Sequence, residues 1–322
     1  MQLNRRKVVA SVGAAIALPA WSQSSYPTKP IRWVVGYPPG GGTDFLARTI
    51  AGQLSQQMGQ QVYVENRAGA AGIIAAEHVA RSAPDGYTVF TADNGILVYN
   101  TALYKRLPYS PERNFDTLGL MTRAHLVLVT APASGFKDIQ SVVRAARAKP
   151  GQLSYASPGA GSPHHLAMEW FKSLGRIHIL HIPYRGGAAA LQDVLGNQLP
   201  LMLLDMPSGF AAVASGKVVP LLSFSGARIP LLKDVPTAKE IGMRMETYAW
   251  QGVVAPAGTP AEIQRKFNVE LQAALANETV RRKLADAGLD PIPGDPAHMN
   301  RYVAEEVVRW HPLIKERQLT LD

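Results

Sequence analysis

The chain has 322 residues, with 33 lysines and arginines against 24 aspartates and glutamates, a formal net charge of +9, and no cysteine. Without cysteine there are no disulfides, thiol nucleophiles or thiolate metal sites, and the basic residues form no cluster, which argues against a nucleic-acid partner. The length suits one large or two medium α/β domains.

At the N-terminus Arg5-Arg6-Lys7 precedes an apolar run from Val8 to Leu18, followed by Pro19 and the small-residue pattern Ala20-Trp21-Ser22. This order predicts a secretory signal peptide over residues 1–22, cleaved near Ser22, and a periplasmic product. About 11 apolar residues fall well short of the roughly 20 that span a bilayer. With no cysteine to carry a lipid, the mature chain is expected to stay out of the membrane. Loss of the leader's three basic residues lowers the net charge to +6.

From Ile31 to Gly36 the apolar residues read as a buried strand, and Pro38-Pro39-Gly40-Gly41-Gly42 as a tight loop. Thr43 or Asp44 then caps a helix running to Met58, in which Phe45, Leu46, Ile50 and Leu54 recur at helical spacing. A strand over Gln61–Glu65 completes the start of a βαβ unit. Small residues at Ala68–Gly72 lead into a helix ending near Arg81, and the Pro84-Asp85-Gly86 turn opens a strand over Tyr87–Thr91. Around Arg123 the rhythm restarts, with strands predicted at His125–Val129, Leu153–Ser157, Ile177–Ile182 and Leu199–Leu204. Helices at Ile139–Ala148, about Pro163–Leu174 and Ala188–Leu195 alternate with them. The strand Val218–Phe224 and a short helix near Ala238 precede a strand at Trp250–Val254, and three helices from Thr259-Pro260 onward close the chain. The alternation predicts an α/β fold of two lobes, each with a parallel or mixed sheet. Lobe 1 is expected over 23–123 plus 248–322, lobe 2 over 124–247, with a hinge between.

A strand-loop-helix with small residues before the helix recurs at Gly36–Asp44, Asn66–Gly72 and Ser157–Pro163. Glycines let backbone N–H groups approach a ligand, and a helix N-terminus offers unpaired donors and partial positive charge, so an anion such as a carboxylate is a suitable guest. The alternative is that the glycines only make turns. The first loop nearly matches a P-loop, but Gly42 stands where lysine is needed and two prolines remove amide donors.

His164 and His165 with Glu169 would ligate a metal only if further ligands arrived from elsewhere. Otherwise one imidazole lines a cleft and the other is solvated. Ser162 lacks a nucleophile elbow and suits a helix N-cap. In Tyr184-Arg185-Gly186-Gly187, Arg185 either clamps a carboxylate with both arms of its guanidinium or is solvated beside a helix start. Asp205 ends an apolar strand, where it serves a polar ligand atom or a neighbouring loop amide.

Gly36-Tyr37-Pro38-Pro39-Gly40-Gly41-Gly42-Thr43-Asp44 with Ala47-Arg48 resembles the first loop of the Bug receptors, the substrate-binding proteins of tripartite tricarboxylate transporters. Asn66–Gly72, Ala83–Thr88, Pro183–Gly187 and Ala255–Pro260 match further motifs of that family in order, across the whole mature chain. The resemblance implies a two-lobed periplasmic binding protein, of the type II or Venus-flytrap kind, that binds a small carboxylate between its lobes, without cofactor or catalysis. Tyr37, Pro38, Gly41, Gly42 and Thr43 would hold one side of the ligand, with Asp44 tying the loop. Ser157, Gly159, Gly161, Ser162 and His165, then Tyr184, Arg185, Gly186 and Gly187, would hold the other. Asn94 and Asp205 complete the candidate set.

His164 departs from the small residue usual at its position. The implied partners are the membrane components of a transporter or a sensor kinase, with a monomeric receptor. Two other readings stay open at this point: a cleft hydrolase or isomerase using Ser162, His165 and Asp205, and an interaction protein with a vestigial cleft.

Overall fold

A computed structural model describes residues 26–321. The predicted leader and its cleavage site lie outside these residues. The first part of the chain runs β1 (Ile31–Val35), α1 (Gly42–Met58), β2 (Val62–Asn66), α2 (Ile73–Ala80), β3 (Thr88–Asp93), α3 (Asn100–Leu103), α4 (Pro111–Asn114) and β4 (Phe115–Thr130). It continues α5 (Ile139–Ala148), β5 (Ser154–Ser157), α6 (Pro163–Gly175), β6 (Leu180–Pro183), α7 (Gly187–Leu195), β7 (Leu201–Asp205), α8 (Met206–Ala214) and β8 (Val219–Ser223). The last part is β9 (Tyr248–Pro256), α9 (Ala261–Ala276), α10 (Glu278–Asp286), β10 (Leu289–Gly294) and α11 (Pro296–Glu316).

The strands form one mixed sheet in the order β2-β1-β3-β9-β4-β7-β5-β6, with β10 and β8 also paired to β4. The βαβ units give the parallel pairs: β1 with β2 and β3, and β5 with β6 and β7. Strands β4 and β9 bring the antiparallel contacts. β4 is 16 residues long and changes partners part-way. Phe115–His125 pairs with β9, and Leu126–Thr130 pairs with β7. The sheet therefore has two halves that share one strand. The chain crosses back where Phe224 N–H donates to Leu126 O and Thr247 N–H donates to Phe224 O.

Strands inside such a sheet are covered on both faces and need continuous apolar runs. In β1, Ile31, Trp33, Val34 and Val35 are fully buried. Helix α1 lays Leu46, Ile50 and Leu54 on one face, where Trp33 meets Phe267 of α9 edge-on at 6.2 Å between centroids. The other face packs Phe90, Tyr99 and Trp250 with Trp310 of α11.

Three local expectations are corrected and one helix is added. The strand expected at His125 begins ten residues earlier, because Phe115–Arg123 is held by β9 and β10 rather than by its own mixed composition. Helix α8 occupies a stretch to which the sequence reading assigned no element: Asp205 caps it by accepting Ser208 N–H, and Gly209 permits close packing, since a Cβ there would lie 2.1 Å from Leu204 Cδ2. No helix forms at Ala238, where a turn is held by Glu240 accepting from Thr237 N–H. Finally, β10 stands between the last two helices. No helix among the described residues is long and apolar enough to cross a membrane.

Candidate functional site

Four helices begin at one cavity of about 70 Å³, the space of a few water molecules. It is lined by Gly41–Thr43 at the start of α1, Ser162–His164 at α6, Gly186–Ala188 at α7, and Asp205, Pro207 and Ser208 at α8. The four ends differ chemically. Ser162 and Asp205 cap α6 and α8 with their own side chains, through His165 N–H and Ser208 N–H. Helices α1 and α7 have glycine N-caps, Gly41 and Gly186, with no side-chain cap. Apart from Gly42 N–H, which Ser208 Oγ accepts, their first-turn amides are thus the donors left for an anion, and Arg185 stands beside the start of α7 in the cavity wall.

The two sheet halves meet across this cavity. Gly42 N–H donates to Ser208 Oγ at 3.0 Å. A Cβ on Gly42 would sit 2.5 Å from Asp205 Oδ1, and one on Gly186 would sit 3.2 Å from Pro38 Cγ. Glycine admits the first approach because it has no Cβ, and suits the second position because Gly186 has a φ of +105°.

Of the residues singled out in sequence, Tyr37, Pro38, Gly41, Gly42, Thr43, Ser162, Arg185, Gly186, Gly187 and Asp205 line the cavity. Tyr184 and Gly159 line an adjoining, wider groove that shares Tyr37, Pro38 and Arg185 with it. Tyr184 Oη donates to Asp193. Asp44 is turned into its own loop, accepting from Gly40 N–H, Arg48 Nε and Asn66 Nδ2. Burial pushes its carboxyl up, but these donors outweigh burial and hold it below its ordinary value. Asn94 belongs to a buried knot: it donates to Tyr99 Oη and Tyr248 O, accepts from Trp250 N–H, and faces Glu306, which also accepts from the indoles of Trp250 and Trp310.

The loop from Ser157 to Ser162 spends its donors internally. Gly159 N–H donates to Ser157 Oγ, Gly161 N–H to His165 Nδ1, and Ser162 N–H to Gly159 O. Gly186 and Gly187 take the place expected of this loop at the cavity, which only Pro158 and Ser162 of the loop reach. His165 lies in a stack of rings, 4.1 Å from His181, which in turn lies 4.9 Å from Tyr155 and bonds Ser157 Oγ at 2.6 Å. Burial pushes His165 down to about 4 and His181 down to about 3.

The cavity histidine is His164, whose Nε2 donates to Asp205 Oδ2 at 3.0 Å. Burial raises the Asp205 carboxyl, but His164 and Ser208 together hold it below its usual range. Because Asp205 pairs with His164 and His165 Nδ1 is engaged by Gly161, the group Ser162, His165 and Asp205 does not form a catalytic relay.

Among the polar wall residues, Asp93, Ser208 and Gln251 escaped the sequence reading. Asp93 accepts from Tyr37 Oη at 2.6 Å and from Ile96 N–H, and burial raises its carboxyl above the ordinary value despite those donors. Its signal was the one that marked Asp205, an acid closing an apolar strand. Gln251 accepts from Thr122 through Oε1. It is the sole polar residue in Trp250–Val254.

Residues 46–319 match the family model for the tripartite tricarboxylate transporter family receptor. The chain belongs to this family. A UPF0065 protein from the tcbD-tcbE intergenic region of Pseudomonas sp. strain P51 is 35% identical, over 98% of this chain and 96% of that one. The structure of R. palustris Rpa4515 with adipate superposes at a TM-score of 0.87 with 33% identity, covering 90% of this chain and 97% of that one. MatC from Rhodopseudomonas palustris with bound malate gives 0.85 and 31%, covering 90% of this receptor and 100% of MatC. The fold of this receptor is thus the α/β periplasmic binding-protein fold of its relatives, with a mixed sheet.

Proposed function

We propose that this receptor captures a small organic carboxylate between its two sheet halves in the periplasm and presents it to a tripartite tricarboxylate-type transporter or to a sensor. The carrying observation is that α1 and α7, from opposite halves, start at glycine N-caps without side-chain caps on one cavity, next to Arg185. Each supplies amide donors and partial positive charge that an anion completes. The adipate and malate bound by two relatives support a carboxylate as the guest. The lobes would be residues 23–123 with 248–322, and 124–247, following export by the leader over 1–22.

Closure is favoured because the donors of α1 and α7 reach one ligand only when the halves meet. Binding without turnover is the expected activity, since Ser162, His165 and Asp205, the group weighed for catalysis, are each engaged elsewhere. Thermal-shift screening of mono-, di- and tricarboxylates, aliphatic and aromatic, tests this reading. A true ligand at about 100 times its Kd stabilises the fold by about 2.7 kcal/mol. A complete panel that leaves the melting temperature unmoved, or consumption of any panel member by the purified protein, would refute it.

A further inference from the structure

The floor of the cavity is one face of the sheet, close to where the two halves share β4. Gln251 of β9 stands opposite Asp93 of β3 on one side and Thr122 of β4 on the other, and Ala249 stands opposite Ala124. Opposed residues share a face and side chains alternate along a strand, so these five point the same way. Trp250 points the other way, into the core with α11. Asp93, Ala124, Ala249 and Gln251 all line the cavity. Thr122 is fully buried, and Gln251 Oε1, at 3.2 Å, is the acceptor its hydroxyl finds among the described residues. That bond fixes the amide, with Oε1 toward Thr122 and the two hydrogens of Nε2 away from it. Nε2 meets no acceptor among the described residues, yet it is not one of the buried polar atoms sealed off without a partner. Gln251 is 6% exposed as a whole, so the open side of its amide is the cavity. A carboxamide is neutral and offers the same donors at any pH.

The cavity therefore has two polar ends of different kinds. The first turns of α1 and α7 with Arg185 suit a carboxylate, whereas the floor presents a neutral donor beside Ala124, Ala249 and Asp93. A ligand that covers Nε2 with hydrocarbon leaves a buried donor unmet, which is unfavourable. A second carboxylate at Nε2 would stand beside the carboxyl of Asp93, and two carboxylates that close do not both ionise without cost. An uncharged acceptor avoids both penalties. We propose that Gln251 is the specificity-determining residue of this cavity and that it selects a monocarboxylate bearing an uncharged acceptor, a keto or carboxamide oxygen, at its far end, to which Nε2 donates. Thr122 is a positioning residue, since its hydroxyl holds Oε1 and so aims Nε2. The inference rests on the carboxylate-receptor reading and deepens it.

Isothermal titration with two isosteric series tests it. Pentanoate, 4-oxopentanoate, succinamate and succinate form the first, and 4-ethylbenzoate, 4-acetylbenzoate, 4-carbamoylbenzoate and terephthalate the second. Within a series that binds, the keto and amide acids should bind at least about tenfold tighter than the alkyl acid, and tighter than the dicarboxylate. In Gln251→Met, which keeps an unbranched side chain of similar size without the amide, the advantage over the alkyl acid should fall below about threefold while the alkyl acid keeps its affinity. Should that variant not fold, the side-chain amide protons of Gln251 in the wild type decide by NMR. They should move to lower field with the keto acid and not with the alkyl acid. If the carbonyl confers no advantage, if the dicarboxylate binds tighter than its neutral isosteres, if the advantage survives in Gln251→Met, or if the amide protons ignore the carbonyl, the inference fails and the receptor reading stands. The same holds if neither series binds while other acids do. If no acid binds at all, both fail.

Discussion

Acidification from pH 7 to pH 5 should destabilise the fold through two rings that never touch the cavity. His165 and His181 titrate near 4 and 3 in the folded protein, against an ordinary 6.5, because burial in the stack with Tyr155 opposes their charge. In the unfolded chain both take up protons below about pH 6.5, so the unfolded state binds more protons and stability falls as the pH drops. The loss begins near 6.5 and continues to about 4 for His165 and about 3 for His181. Well below 6.5 each ring contributes about 1.4 kcal/mol per pH unit, so between pH 7 and pH 5 the pair removes about 4 kcal/mol. Asp93 works in the opposite direction, since its carboxyl is raised in the folded state and so gains protons earlier than in the unfolded chain. Urea unfolding followed by tryptophan fluorescence at the two pH values measures the net change. His181→Phe should retain the stacked ring, lose the bond to Ser157, and show roughly half the pH dependence. A wild-type change below about 1 kcal/mol, or an undiminished change in the variant, would refute the argument from burial.

Glu306→Ala should be among the most damaging substitutions outside the cavity. It leaves the buried indole donors of Trp250 and Trp310 unmet and withdraws the carboxylate facing Asn94, a loss of about 3 kcal/mol or more by urea denaturation at pH 7. Gly42→Ala should show the reverse profile. Alanine suits the first turn of α1, so unliganded stability should change by less than about 1 kcal/mol. Its Cβ, 2.5 Å from Asp205 Oδ1 and 3.1 Å from Pro207 Cβ, would hold the halves apart and lower carboxylate affinity at least about tenfold by titration calorimetry.

What could be read in advance followed how local the cause was. Helix α5 runs from Ile139 to Ala148 as predicted, because Asp138 caps it and its apolar positions recur on one face. The first half of β4 was hidden because Asp116, Thr117, Gly119, Thr122 and Arg123 carry no strand signature alone, and the segment is a strand only once β9 and β10 flank it. At the cavity, the glycine loop before α1 and the Arg185-Gly186-Gly187 turn were legible from composition. The choice between His164 and His165 was not: they are adjacent in α6, and which one meets Asp205 depends on how β7 packs against that helix. Asn94 shows the converse. A polar residue after a strand resembles a ligand donor, until α11 delivers Glu306 and the neighbouring indoles to it.

The shared strand has a consequence for anyone who would exchange binding specificities between relatives. The segment that carries α6, α7 and α8 is contiguous in sequence, but its ends are cut from paired backbone: one junction falls inside β4 between His125 and Leu126, the other between Phe224 and Thr247, where Thr247 N–H donates to Phe224 O and Phe224 N–H in turn to Leu126 O. A graft of residues 126–247 must therefore arrive with its ladder in phase, since a one-residue slip would turn Leu126, Leu128 and Thr130 to the opposite face of the sheet. Chimeras should be designed around that register rather than around the loops.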